Sequence, residues 1–158
     1  MGFKISTGLQ THLLTTLDLK SGLDGLVFKI YGSPTSSAIA KSQIPTSANA
    51  AVLSGDTILL CTVSVNGDGT GCTFDDTPVS GALYKTASEL WFGINVGSGY
   101  PAFYRLETDA DTGASSTTNI RCQGTVGQIG TDLIIAAAYM STGQEQRIDS
   151  YVIGQPLE

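Results

Sequence analysis

Apolar and polar residues alternate with a period of two along most of this chain, and one stretch near the start departs from that rhythm. In STGLQTHLLTTLDLKSG, Leu9, Leu13 and Leu17 recur every four residues with Leu14 beside them, which is the stripe of an amphipathic helix. Thr7 with Gln10 three residues on fits a capping box, and Gly22 suits a terminator, so one short leading helix is expected over residues 6–20. Thr11, Thr15 and Thr16 weaken it as a free helix, so it needs an apolar surface to dock on.

From there the pattern predicts strands. Leu26, Phe28 and Ile30 alternate with Val27, Lys29 and Tyr31 until Pro34 and the SPTSSA stretch interrupt them. Residues 32–55, punctuated by Pro34, Pro45 and Gly55, read as a long loop insert. TILLCTVSV, residues 57–65, is a strong strand with Leu59, Cys61, Val63 and Val65 on one face. NGDGTG then offers hairpin chemistry, and a short strand at residues 72–74 is expected to pair back. ELWFGINV places Leu90, Phe92, Ile94 and Val96 on one face, and Gly97 and Gly99 turn the chain into Tyr100–Glu107. There Tyr104 and Leu106 alternate with Phe103, Arg105 and Glu107. After a long polar loop, Ile120, Cys122, Gly124 and Val126 alternate with Asn119, Arg121, Gln123 and Thr125. DLIIAAAYM is ambiguous, because its alanines suit a helix while its β-branched start and short length favour a buried strand; RIDSYVI is the last strand. The expectation is a mainly β protein: a single domain over residues 1–158, built as an antiparallel two-sheet sandwich of jelly-roll type with one short N-terminal helix.

Composition sharpens this. Charged residues are 14% of the chain against roughly 25% in ordinary domains, and 16 Ser, 19 Thr and 19 Gly fill the difference. The net charge of −6 and the lack of any Lys/Arg run argue against a nucleic-acid partner. The longest apolar run, residues 133–140, is far short of the ~20 residues that span a bilayer, so no membrane association is expected. MGFKISTGLQ lacks the apolar segment of a secretory signal; its Gly2 and Ser6 match the loose myristoylation pattern, but nothing else points to a lipid anchor. Cys61, Cys72 and Cys122 are odd in number and widely spaced, which speaks against a disulfide framework or a zinc site; folding in a reducing cytoplasm is expected.

Candidate chemistry is sparse. DADTG (Asp109, Asp111, Gly113) resembles the start of a calcium loop, but the twelfth position holds Ile120 where a bidentate Glu is required. Asp68 in NGDGTG reads as a turn residue. His12 is the sole histidine and has no visible partner, and no G-x-S-x-G elbow is present. The close acidic pairs, Asp75 with Asp76 and Glu107 with Asp109, lack the setting of a glycosidase pair. No catalytic residue, metal ligand or cofactor is therefore expected. Trp91, Phe92, Tyr100, Phe103 and Tyr104 cluster within fourteen residues and could form a carbohydrate platform. Alternation instead sends Phe92 and Tyr104 to the core and leaves Trp91 and Phe103 on an outer face that the helix or a neighbouring chain must cover.

The order of STGLQTHLLTTL, GLVFKIYGSP, GDTILLCTVS, PAFYRLETD, NIRCQGTVG and DLIIAAAYMSTGQEQRIDSYVI resembles a family of small structural proteins of tailed bacteriophages, closest to capsid decoration (cement) proteins. The resemblance spans nearly the whole chain on loose motifs. It implies a non-enzymatic virion component made in the host cytoplasm. Such a protein binds the outside of the assembled head as a homodimer or homotrimer, with the major capsid protein and itself as partners. A tail, collar or baseplate accessory, or a surface carbohydrate-binding module, is the alternative. The loop at residues 109–118 and the insert at residues 32–55 are longer than the family pattern. Trp91, Phe103, Tyr31 and Leu13 are the expected interface anchors.

Overall fold

The computed structural model describes residues 3–154. In chain order the first elements are β1 (Lys4–Ile5), α1 (Thr7–Thr16), α2 (Leu19–Leu23), β2 (Val27–Ser33), α3 (Ser37–Ser42) and β3 (Ile58–Val65). They are followed by β4 (Ala82–Tyr84), β5 (Trp91–Ile94), β6 (Tyr100–Glu107), β7 (Cys122–Gly127), β8 (Leu133–Ile134), β9 (Glu145–Ile148) and β10 (Val152–Gly154).

The leading helical region is two pieces where one was expected. Ser6, in extended backbone, caps α1 by accepting the Leu9 N–H at 3.1 Å, one residue before the expected Thr7. Leu17 adopts a left-handed conformation at φ 57° and closes α1, so Gly22 lies inside α2 and terminates nothing. Only one side of α1 docks. Leu9 is buried and Leu13 packs half-buried against the core, but Leu14 and Leu17 stand in solvent. That docking requires Gly8, whose missing side chain would collide with the backbone carbonyls of Thr118 and Asn119.

Eight strands join in one sheet in the order β1-β7-β6-β2-β3-β5-β9, with β8 also on β7; β4 and β10 form a separate antiparallel pair. Every pairing is antiparallel except β7 with β8. The protein is thus mainly β, with a large antiparallel sheet and a small second one. The sheet is rolled. Ile134 of β8 and Glu145, Gln146 and Arg147 of β9 come from opposite ends of the strand order, yet they line one groove. The concave face holds the main core, to which six strands each send a buried side chain: Phe28, Cys61, Trp91, Tyr104, Cys122 and Ile148. Phe28 is central, with Trp91 and Tyr104 tilted against it at 5.4 and 5.5 Å and Tyr151 edge-on at 4.8 Å. The Tyr104 and Tyr151 hydroxyls bond each other at 2.6 Å inside this core, and the Tyr104 ring covers Gly124 so closely that a Cβ there would lie 2.6 Å from it.

Two local features shift the expected faces. Ile30 pairs with Cys61 but Tyr31 pairs with Leu59, so Leu60 is an extra residue in a β-bulge. Leu60 and Cys61 both reach the main core, while Leu59 turns to the opposite face beside Tyr31. In β5 the expected order is inverted: Trp91 enters the core, Phe92 is half-buried, and Leu90, Ile94 and Val96 are exposed. The segment at residues 72–74 does not pair back onto β3; Cys72 bridges Leu26 and Phe74 bridges Lys85. The insert at residues 32–55 is shorter as a loop than expected, since β2 runs to Ser33 and α3 lies within it.

Gly8→Ala is expected to lower the unfolding free energy by about 1–3 kcal/mol, because the backbone on both sides must separate. Urea denaturation followed by circular dichroism measures it.

Candidate functional site

The convex face of the central strands carries the unusual chemistry. β2, β6 and β7 are buried on both faces, and their second face places charge among apolar residues. Lys29 sits opposite Arg105, and Arg105 opposite Gln123, in one row across three strands. Like charges directly opposed destabilise a sheet unless something compensates them. Glu107, two residues along β6, supplies part of the compensation: its Oε1 is 3.6 Å from Lys29 Nζ and accepts the Tyr31 hydroxyl at 3.2 Å. Arg121, just before β7, grips Asp111 with two bonds, Nε to Oδ2 at 2.7 Å and Nη2 to Oδ1 at 2.6 Å. All five charged side chains are buried.

Three cations face two carboxylates, and backbone carbonyls of two loops provide the remaining acceptors. Lys29 Nζ donates to the Asp109 and Asp111 carbonyls at 3.0 and 2.6 Å, and Arg121 Nη2 to that of Ala114 at 2.8 Å. Arg105 Nη2 donates to the Ala50 and Ser47 carbonyls at 2.6 and 3.2 Å, and Gln123 Nε2 to that of Pro45 at 2.8 Å. The loops also bond each other, Val52 N–H to the Gly113 carbonyl and Ser116 N–H to the Asn49 carbonyl, both at 2.9 Å. This is a clamp: sheet cations hold the loops 43–52 and 108–119 against the convex face. Under the same cover Tyr31 stacks on Phe103 at 5.2 Å, with Ala40 and Val52 packed against them.

Electrostatics follow from burial. Burial alone would raise the Asp111 carboxyl; hydrogen bonds from Arg121, the Gly113 N–H and Asn119 outweigh it and hold the pKa at about 2. Glu107 is displaced the other way, first by burial and then by the Asp111 charge, with Lys29, Arg105 and Arg121 opposing. Burial and the neighbouring Arg121 lower the Arg105 guanidinium to about 10. Glu107 Oε2 and Arg105 Nη1 have no hydrogen-bond partner among the described residues; Oε2 lies 3.6 Å from Arg121 Nε.

Asp111 is buried and its carboxylate is committed to Arg121, Asn119 and Gly113, while Asp109 points to solvent and contributes its carbonyl. Among the described residues, no three His, Cys, Asp or Glu side chains are grouped as a ligand set. His12 Nε2 is 2.9 Å from Ser21 Oγ, whose hydroxyl donates to the Asp18 carbonyl; among the described residues no carboxylate bonds the imidazole. Asp68 accepts the Thr70 N–H, as a turn residue does. Asp76 is 3.2 Å from Lys20. The three thiols are buried, and burial pushes Cys61 and Cys72 up to about 12.

The expected interface anchors are corrected. Trp91, Phe103 and Tyr31 are covered by their own chain: Trp91 in the main core, with Nε1 donating to Glu89 at 2.6 Å, and Phe103 and Tyr31 under α3 and its loop. The neighbour that Phe103 needs is thus the insert, and Trp91 is not on the outer face. A platform of exposed Trp91 and Tyr100 is not formed. Leu13 is half-buried on the core. The clamp could have been suspected from VFKIY, FYRLE and NIRCQ, in each of which a cation interrupts an apolar strand. An exposed strand face would carry such charges too, and only the double burial distinguishes the cases.

Arg121→Ala leaves Asp111 buried without its partner and is expected to cost about 3–5 kcal/mol in chemical denaturation. Asp111 ionises more readily folded than unfolded, so its contribution is complete above about pH 4 and lost as pH falls toward 2. Asp111→Asn should lack that part, about 2 kcal/mol in the difference between its stability-versus-pH curve and the wild type's. Glu107 has the opposite sign, stabilising as pH falls; because the Asp111 charge is part of what raises it, Asp111→Asn lessens that displacement as well, and the difference carries both effects with opposite signs.

Comparisons of this chain with models of protein families, with curated proteins and with solved structures find no match.

Proposed function

We propose that the chain is a non-enzymatic structural component of a tailed-bacteriophage virion, and within that class a capsid decoration protein. It binds the outside of the assembled head as a homo-oligomer, with the major capsid protein and itself as partners, and staples neighbouring capsomers. In this reading the rolled sheet is the body of a jelly-roll-like sandwich, and the clamped loops are the docking elements.

One observation carries the reading. The most elaborate polar chemistry in the molecule, Lys29, Arg105, Glu107, Asp111 and Arg121, is spent on holding two surface loops to the sheet. Loops fixed before binding lose little conformational freedom on docking, and hundreds of equivalent sites let modest contacts add up. The order of motifs that resembles the phage family points the same way. Leu53, exposed on the clamped insert, is a side chain such a surface would use.

Purified protein mixed with assembled heads of its own phage should bind at fixed stoichiometry and appear as an even layer in a low-resolution map. Leu53→Asp should weaken that binding about tenfold or more with an unchanged melting temperature. No binding to heads defeats the reading, and density at one vertex or on the tail replaces it with an accessory role.

A further inference from the structure

The rolled sheet leaves one strand edge open. Among the described residues, β9 pairs with β5 alone. A groove of about 370 Å³ runs along its other side, walled opposite by residues 134–137. Such an edge presents unpaired N–H and C=O groups, and proteins commonly protect it with charge. Two like charges would do so here by repelling a second copy. β9 instead carries Glu145 and Arg147 at alternate positions, both exposed on one face, with Gln146 and Ile148 turned inward.

The backbone phase decides what these charges do. The Asn95 N–H bonds the Gln144 carbonyl at 2.8 Å, and Gly93 pairs with Gln146. The even residues of β9 therefore direct their backbone groups toward β5, and Glu145 and Arg147 direct theirs toward the open edge, where the Gln146 side-chain amide donates to the Arg147 carbonyl at 3.1 Å, a bond that a pairing strand must displace. If β9 of a second copy pairs antiparallel at that edge, Glu145 and Arg147 must form the hydrogen-bonded pairs. Centring on Glu145 sets carboxylate against carboxylate, and centring on Arg147 sets guanidinium against guanidinium. Centring on Gln146 sets Glu145 of each copy against Arg147 of the other, twice, about a two-fold axis.

We propose that the protein forms a two-fold dimer through antiparallel β9–β9 pairing centred on Gln146, with reciprocal Glu145–Arg147 contacts. The same face supports it. Ile94 is the cross-strand neighbour of Glu145, and Phe92 of Arg147, so the ion pairs are flanked by an exposed and a half-buried apolar side chain. Arg147 presently holds Asp149 at 2.8 Å in an exposed contact, which yields readily to a new partner. This inference goes beyond the decoration reading, since the dimer needs no capsid.

Sedimentation equilibrium of the purified full-length chain tests it. Wild type should be a dimer whose dissociation rises with salt. Glu145→Arg alone and Arg147→Glu alone should each weaken the dimer by about tenfold or more. The two single variants mixed one to one should form a heterodimer, because each then supplies the charge the other lacks, and the double swap should restore the homodimer. Circular dichroism spectra matching wild type confirm that each variant is folded. A wild-type monomer at all concentrations, a different oligomer, or a dimer indifferent to both reversals overturns the proposal. So does a mixture that fails to associate. Loss of head binding with an intact dimer would count against the decoration reading alone.

Discussion

The bidentate contact between Arg121 and Asp111 is the point on which the outer half of the molecule depends. Asp111 lies in the middle of a loop rich in Ser, Thr and Gly that has little apolar surface to bury, and such a segment does not order itself. One carboxylate held by a guanidinium gives it a fixed point. From there Lys29 reaches two loop carbonyls, Arg121 a third, and the loop in turn orders the insert, its Gly113 carbonyl accepting the Val52 N–H and its Ser116 N–H donating to the Asn49 carbonyl. A second hydrophobic layer of ordinary size is thereby replaced by a small apolar cluster around Tyr31 and Phe103 and an adjoining ionic one.

This division explains which parts of the fold could be read from the chain. The strand Tyr100–Glu107 and its partner Cys122–Gly127 were legible because each alternates non-polar with polar or charged positions, and the two pair as the pattern implies. Leu59 was misplaced because a bulge is a matter of one backbone residue and leaves no mark on composition. The face of β5 was misjudged for a different reason. Leu90, Phe92, Ile94 and Val96 outnumber Trp91 in apolar side chains, but the inward face takes the single indole, together with Gly93, which lies against Thr62 and Cys61, and Asn95, whose amide donates to the Ser141 carbonyl. Counting apolar residues thus favours the wrong side wherever an outer face carries a stripe of its own.

The helices were overstated by the same kind of count. Four leucines at helical spacing suggest a long contact, yet only Leu9 and Leu13 are used, because Leu17 breaks the helix in a left-handed conformation and the chain turns toward α2. The cations of the clamp stood out within their apolar strands, but nothing in the chain joined them into one site. Its members are spread over residues 29–121, and no spacing rule links a lysine in one strand to a carbonyl 82 residues later.

The N-terminal segment has a consequence for the order of assembly. The Ser6 hydroxyl that caps the first helix also donates to the Asn119 carbonyl at 2.7 Å and accepts the Arg121 N–H at 2.9 Å, a partner 115 residues away. The beginning of the chain therefore has nowhere to settle while the ribosome is still making the middle. It must wait, solvated, until translation has passed Arg121, so the native structure closes late, through contacts of long sequence separation that are slow to form. A nascent chain arrested before that residue would expose Leu9 and the open side of the sheet to whatever chaperone is nearest.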